Sequence, residues 1–206
     1  MTSSAPLVAS TLDEETARAE VYGLLAALYY AAPPRELVEN LKVAVTQAPA
    51  AGAMLEASWG ELVAAARRLR PEDIAREHDQ LFGGVGKPDV YLFGSHYLSG
   101  FLNEKPLAAL RTDLDALGLA RDEAMPETED HVAYLCEVMR YLIAGDDVVV
   151  ANLTRQREFF STHLQPWVGD MCEALMRHPR ADFYRALAAF TQAFISVEMQ
   201  GFDMLA

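Results

Sequence analysis

The five histidines of this chain, at positions 78, 96, 131, 163 and 178, are the side chains that titrate near neutral pH without help from their surroundings. Set among 30 Asp and Glu residues, they raise the question of a metal. A di-iron carboxylate site needs Glu-x-x-His on helices, so that both side chains reach one metal pair, and no glutamate here stands three residues before a histidine. The densest group, Glu127-Thr128-Glu129-Asp130-His131, could supply part of a mononuclear site. No second cluster at ligand spacing accompanies it, and neither a metal nor any other cofactor is assigned. Cys136 and Cys172 lack Cys-x-x-Cys spacing, which argues against a zinc ribbon, a redox pair or a disulfide framework. Gly83-Gly84-Val85-Gly86 follows a helical pattern and lacks the Lys and Ser or Thr of a phosphate loop, so these are read as turn glycines. A Gly-x-Ser-x-Gly elbow is absent as well, and no catalytic residue is assigned. What remains is a recurring pairing of apolar or aromatic residues with carboxylates, at Leu81-Phe82, at Phe93 and Tyr97, and at Glu127 to His131. Each has a plainer role beside the functional one: Leu81 and Phe82 suit a core, and an Asp near a helix start accepts N–H bonds and offsets the dipole.

These residues need elements to hold them. Thr11-Leu12-Asp13-Glu14 reads as a capping box before Val21, Leu24, Leu25 and Leu28 at helical spacing, giving a first helix over 12–31. Pro33-Pro34 starts a second with the stripe Leu37, Leu41 and Val45, a third runs over 54–69, and Pro71 opens a fourth carrying Ile74, His78, Leu81 and Phe82. From Gly83 to Gly100 the periodicity breaks; a loop this long is usually functional or a linker, and the aromatics Tyr91, Phe93, Tyr97 and Phe101 mark it as docked rather than solvated. Residues 83–103 are also the one place for a subdomain boundary in an otherwise single domain spanning 1–206. Asn103 caps a helix over 104–117 closed by Gly118, and after the acidic approach 121–129 the next helix carries His131, Leu135, Val138 and Leu142 as a buried stripe up to Gly145. Three more are read over 147–163, 166–178 and 180–204, with Phe159, Phe160, His163, Leu164, Pro166 and Trp167 forming a structural aromatic corner.

Composition agrees: 33 Ala and 26 Leu against 3 Ile is a stock of helix formers poor in the β-branched residues of strands, so the fold class is all-α. At 206 residues the chain buries a sizeable core without staples. A net charge of −13 repels nucleic acid and anionic membrane on average, so no nucleic acid partner and no stable membrane insertion are expected, and it attracts basic partners. No apolar run reaches the roughly 18 residues of a membrane span. The unpaired cysteines, and an N-terminus without a basic region leading an apolar one, point to the cytoplasm.

In four places, in order, the chain resembles the TorD/DmsD/NarJ family of redox-enzyme maturation chaperones. The family's helix-four ending, an aromatic, two residues and Leu-Phe, is similar to His78-Asp79-Gln80-Leu81-Phe82, with His78 in the aromatic's place. Its loop of an aromatic followed by Gly-Ser-x-Tyr-Leu is similar to Phe93-Gly94-Ser95-His96-Tyr97-Leu98, and Glu-Pro-x-Asp-His to Glu127-Thr128-Glu129-Asp130-His131 with the proline moved ahead to Pro126. The corner His163-Leu164-Gln165-Pro166-Trp167 also fits. The resemblance implies an all-helical cytoplasmic chaperone without chemistry of its own. Its partner would be a molybdenum-enzyme catalytic subunit, bound through a twin-arginine signal peptide or N-terminus and held for cofactor insertion, assembly or export; monomer and dimer both remain open. Such a peptide carries two guanidiniums beside an apolar segment, so its receptor needs carboxylates for forked hydrogen bonds and a greasy groove. Glu127, Glu129 and Asp130 would supply the first, with His131 as an orienting partner, and Leu81, Phe82, Phe93 and Tyr97, with the Gly94-Ser95 backbone, the second. Two other functions stay open on the residues alone: a helical metal-binding protein or enzyme centred on His131 and the 127–130 cluster, and an adaptor for an unrelated amphipathic helix. If the three places make one site, the 83–100 loop lies against the helix after Pro126, bringing Leu81, Phe93 and Tyr97 close to Asp130 and His131.

Overall fold

The computed structural model describes residues 5–46, 54–83, 87–102, 104–122 and 125–204. Ten helices account for the regular structure of these residues: α1 Ala5–Tyr30, α2 Arg35–Lys42, α3 Glu56–Arg68, α4 Pro71–Phe82, α5 Gly94–Ser99, α6 Lys105–Ala116, α7 Val132–Ala144, α8 Leu153–His163, α9 Val168–Arg177 and α10 Phe183–Asp203. Among the described residues there is no strand, only one isolated antiparallel bridge between Phe93 and His131. None of these helices is long and apolar enough to cross a membrane.

The core forms where the apolar stripes meet. Tyr22, Leu25, Leu28 and Tyr29 on α1 are fully buried against α7, whose inward face is Leu135, Cys136, Met139, Leu142 and Ile143. On the other side α10 packs on α9 and α3, with Phe190 against Trp59, and turns Tyr184 toward α1 and α4, while Trp167 and Phe160 fill the corner before α9. Two buried carboxylates cross-link these layers. Glu198 near the end of α10 takes a fork from Arg18 (2.7 and 2.8 Å) and the Tyr22 hydroxyl (3.0 Å), which ties α10 to α1. Glu77 on α4 accepts the backbone N–H groups of Asp182, Phe183 and Tyr184 at 2.8 to 3.1 Å, so a side chain about a hundred residues upstream satisfies the orphan donors that open α10.

Several boundaries differ from the sequence expectation, each for a local reason. α1 begins at Ala5 and runs through Thr11, so the 11–14 motif is not its cap. α2 stops at Lys42 and leaves Val43 and Val45 exposed. β-branched residues weaken the helix there, and α3 captures the trailing carbonyls, Trp59 that of Val45 and Arg67 those of Lys42 and Ala44. α8 begins at Leu153 rather than 147, because Val148 to Val150 turn over Asp147 and Asn152 is the true cap, accepting from Arg155 N–H at 3.1 Å. The expected cap Asn103 lies outside the described residues. α7 begins at Val132 with His131 as its cap, and Val138, expected in the buried stripe, is only half-buried. Gly118, at φ +71°, closes α6 in the left-handed conformation as expected. The long loop is not wholly irregular: it contains α5, which ends at Gly100 with φ +81°.

Candidate functional site

The loop and the start of α7 are stitched together by backbone. Val132 N–H donates to the Leu92 carbonyl at 2.8 Å and Gly94 N–H to the Asp130 carbonyl at 2.9 Å, flanking the Phe93–His131 bridge. Leu92 sits at the buried edge of the core while Phe93 turns its ring edge-on to His131, 5.0 Å between centroids. The loop therefore meets the residues around Asp130 and His131 as anticipated.

The side chains complete the joint. Asp130, 3% exposed, accepts Ser95 N–H at 2.8 Å on one oxygen and the Thr128 hydroxyl at 2.6 Å on the other. Its charge thus meets the first turn of α5, where backbone donors are free. His131 Nδ1 accepts Ala133 N–H at 3.1 Å and caps α7. Burial lowers its pKa to about 4, with nearby His78 acting in the same direction and Asp130 opposing, so the imidazole is neutral in the folded protein. Gly94 is a close approach: a Cβ there would stand 3.0 Å from Trp167 Nε1. Tyr97 stacks on Trp167, 5.5 Å between ring centroids at 18°, and donates to the Tyr91 carbonyl. The Ser95 hydroxyl is buried without a hydrogen-bond partner.

The remaining expected residues fall into two groups. Leu81 is wholly buried and its carbonyl accepts the Val90 N–H at 3.1 Å, tying the end of α4 to the loop, while Phe82 packs edge-on against Tyr184 of α10 at 4.9 Å. Glu127 and Glu129 are half-buried and lie on the other side, toward α6 and the outer face of α7. Here a groove of about 470 Å³ opens between the end of α6, the 119–125 segment and α7, lined by Leu114, Leu119, Met125, Tyr134, Val138 and Tyr141 with Glu129 in its wall. Its size lies within the range of binding pockets, and it has their mainly apolar lining with a few polar groups. Burial pushes the Glu129 carboxyl up, but a fork from Arg111 at 3.0 and 2.9 Å, with a backbone hydrogen bond and the charge of Arg121 in the groove lining, more than offsets this and holds it below its usual range. The Tyr134 hydroxyl is shut away from water without a well-formed hydrogen bond. Burial, the Tyr30 hydroxyl and the Glu127 charge push its pKa up to about 12.

Sequence reasoning missed Arg111 and Tyr134. The second had a signal, because Tyr134, Val138 and Tyr141 repeat at spacings of four and three beside the buried stripe and make a second apolar face on α7. Arg111 had none, since its partner is on another element. Among the described residues no three His, Cys, Asp or Glu side chains stand together as a metal would need, and His131 spends its Nδ1 on the helix cap.

The model of a family described as nitrate reductase delta subunit matches residues 48–173, more than half of the chain. Similar curated proteins carry the name Chaperone protein TorD. The one from Vibrio cholerae serotype O1 strain El Tor Inaba N16961 is 26% identical over 204 residues, spanning 91% of this chain and 93% of the relative. That from the Classical Ogawa 395 strain is 25% identical over the same shares. The protein from Vibrio parahaemolyticus serotype O3:K6 is 23% identical over 157 residues, 70% of this chain and 73% of the relative.

Proposed function

This chain belongs to the nitrate reductase delta-subunit family, and from that premise we propose that it is a chaperone of molybdoenzyme maturation that holds the signal peptide or N-terminal segment of a catalytic subunit before cofactor insertion, assembly or export. Relatives along almost the whole chain bear the name of a chaperone, a role without catalysis. The observation that carries the finer part of this reading is the groove between α6 and α7, an open apolar trough with Glu129 in its wall and Glu127 close to its Tyr134. An apolar segment with arginines presents the matching chemistry: a greasy face for Val138, Tyr141 and Leu114, and guanidiniums whose planar fork suits a carboxylate. The overall charge of −13 raises the encounter rate with such a peptide.

In this reading the residues around Asp130 support and do not touch the client. Asp130, His131, Gly94 and Tyr97 hold the loop and the entry to α7 in register, and α7 in turn presents Tyr134, Val138 and Tyr141. Titration calorimetry with an apolar peptide bearing adjacent arginines tests this. The wild type should bind it more tightly than the same peptide with lysines, and Val138→Arg should abolish binding while thermal unfolding stays cooperative. Unchanged binding by Val138→Arg removes the groove as the seat, and equal binding of both peptides reduces the chain to a holder of apolar segments.

A further inference from the structure

Glu129 already holds a guanidinium. Its carboxylate, 13% exposed at the side chain, is forked by Arg111, whose side chain is 50% exposed and reaches it from α6. Arg111 is not part of the groove lining, whereas Glu129 is. The anion is therefore fixed in the wall and the cation that neutralises it stands half in water, a pairing that is geometrically complete yet cheap to exchange, because exposed ion pairs contribute little net free energy. The other ion pair at the groove is different in kind. Glu137 and Arg140 are three residues apart on α7, both about half exposed, so the two travel together on one helix.

Resting on the reading of a bound arginine-bearing segment, we propose that Arg111 is a built-in stand-in for the client: in the free protein it occupies the carboxylate that an incoming arginine takes, and binding exchanges one fork for another at Glu129. The arrangement keeps a half-buried carboxylate from standing uncompensated between clients, which would cost more than the pair itself gains. It also selects for arginine over lysine, because only a guanidinium replaces both bonds that Arg111 gives up.

Removal of the stand-in should strengthen binding, the opposite of what loss of an ordinary contact residue does. In calorimetric titrations of the full chain, Arg111→Gln should bind the adjacent-arginine peptide about two- to fivefold more tightly than the wild type, the ceiling that a half-exposed fork sets. The lysine peptide should gain less. Arg111→Lys, which keeps the charge and loses the fork, should fall between. Arg177→Gln, which removes the same charge from an exposed pair with Glu173 on α9, measures the effect of net charge alone and should change affinity by less than Arg111→Gln does. Glu129→Gln should weaken the arginine peptide and erase the preference over lysine. If the wild type binds while Arg111→Gln binds equally or more weakly, the exchange is refuted and the peptide-holding function stands. If neither protein binds the peptide, both fall together.

Discussion

Glu129 and Asp130 are consecutive residues whose carboxylates live in different media. Asp130 is turned inward, with one oxygen on the Ser95 N–H and the other on the Thr128 hydroxyl. Glu129 stands in the wall of the groove, and its one ion-pair partner is half in water. Neither charge nor membership of the acidic run distinguishes them. What does is whether the bonds each makes could be given up at small cost: the buried aspartate cannot release its partners without stranding them, and the glutamate can. Within this acidic cluster, then, the carboxylate open to exchange is the one whose partner stands half in water, and the fixed one is the one whose partners are turned inward.

The sharpest way to break this contrast is Asp130→Ala. It strands the buried Ser95 N–H and the Thr128 hydroxyl, and at about 1 to 3 kcal/mol for each stranded group the protein should lose about 3 kcal/mol or more, measured as a lower denaturant midpoint at unchanged slope. A loss below about 1 kcal/mol would place Asp130 with Glu129 after all.

Next in size is an acid limb from the same joint. His131 is held neutral with a pKa of about 4 in the folded state, against 6.5 ordinarily. As pH falls below about 6.5 the unfolded chain takes up a proton that the native protein refuses until about pH 4, so stability is complete above this window and declines across it, by on the order of 3 kcal/mol. His78, half-buried and likewise lowered by that burial, adds to the same limb. His131→Asn retains an acceptor for Ala133 N–H and should flatten the limb; urea melts between pH 7 and 4 that superimpose on the wild type would assign the limb elsewhere.

A smaller effect is expected from Gly94→Ala, which drives a methyl against the Trp167 indole at 3.0 Å. It should cost about 1 to 3 kcal/mol and shift the tryptophan emission, since Tyr97 and Gly94 enclose that ring. An unchanged midpoint and emission would mean that α5 yields easily. Smallest is Glu129→Gln, which should move the midpoint by less than about 1 kcal/mol and show itself in peptide binding instead. A stability loss matching that of Asp130→Ala would erase the difference between the two neighbours.

Periodicity and composition carried the all-α class and the position of most helices, because Leu and Ala stripes at 3.6 spacing report burial directly. Where α2 and α8 came out too long, the residues at fault were Val43, Val45 and Val148 to Val150, apolar enough to extend a stripe but β-branched and lying in turns. The joint between Phe93 and His131 was foreseen from the loop aromatics and the acidic run, but the inward turn of Asp130 was not, since burial of a carboxylate depends on donors 35 residues away. The Arg111–Glu129 fork is hidden for a related reason, whereas the groove's Tyr134, Val138 and Tyr141 face is legible along α7. Arg111 and Glu129 meet across two elements, and a pattern read along one helix contains no trace of such a meeting.

Glu77 has a consequence for how this protein comes to exist. Its carboxylate is the landing point for the first turn of α10, and it is synthesised about a hundred residues before Asp182, Phe183 and Tyr184 arrive to use it. During translation the anion must therefore wait for its donors while α5 to α9 emerge, and the α4 surface that will bury it cannot close early. When the last helix docks, three amide protons pass together from solvent to the interior, so they should exchange with deuterium as one cooperative unit, at the rate of the whole molecule and not of a fraying helix end. A ribosome that stalls before residue 182 would release a chain with an orphaned anion at that seam. A fold built this way withholds its finished shape until the start of α10 has been made.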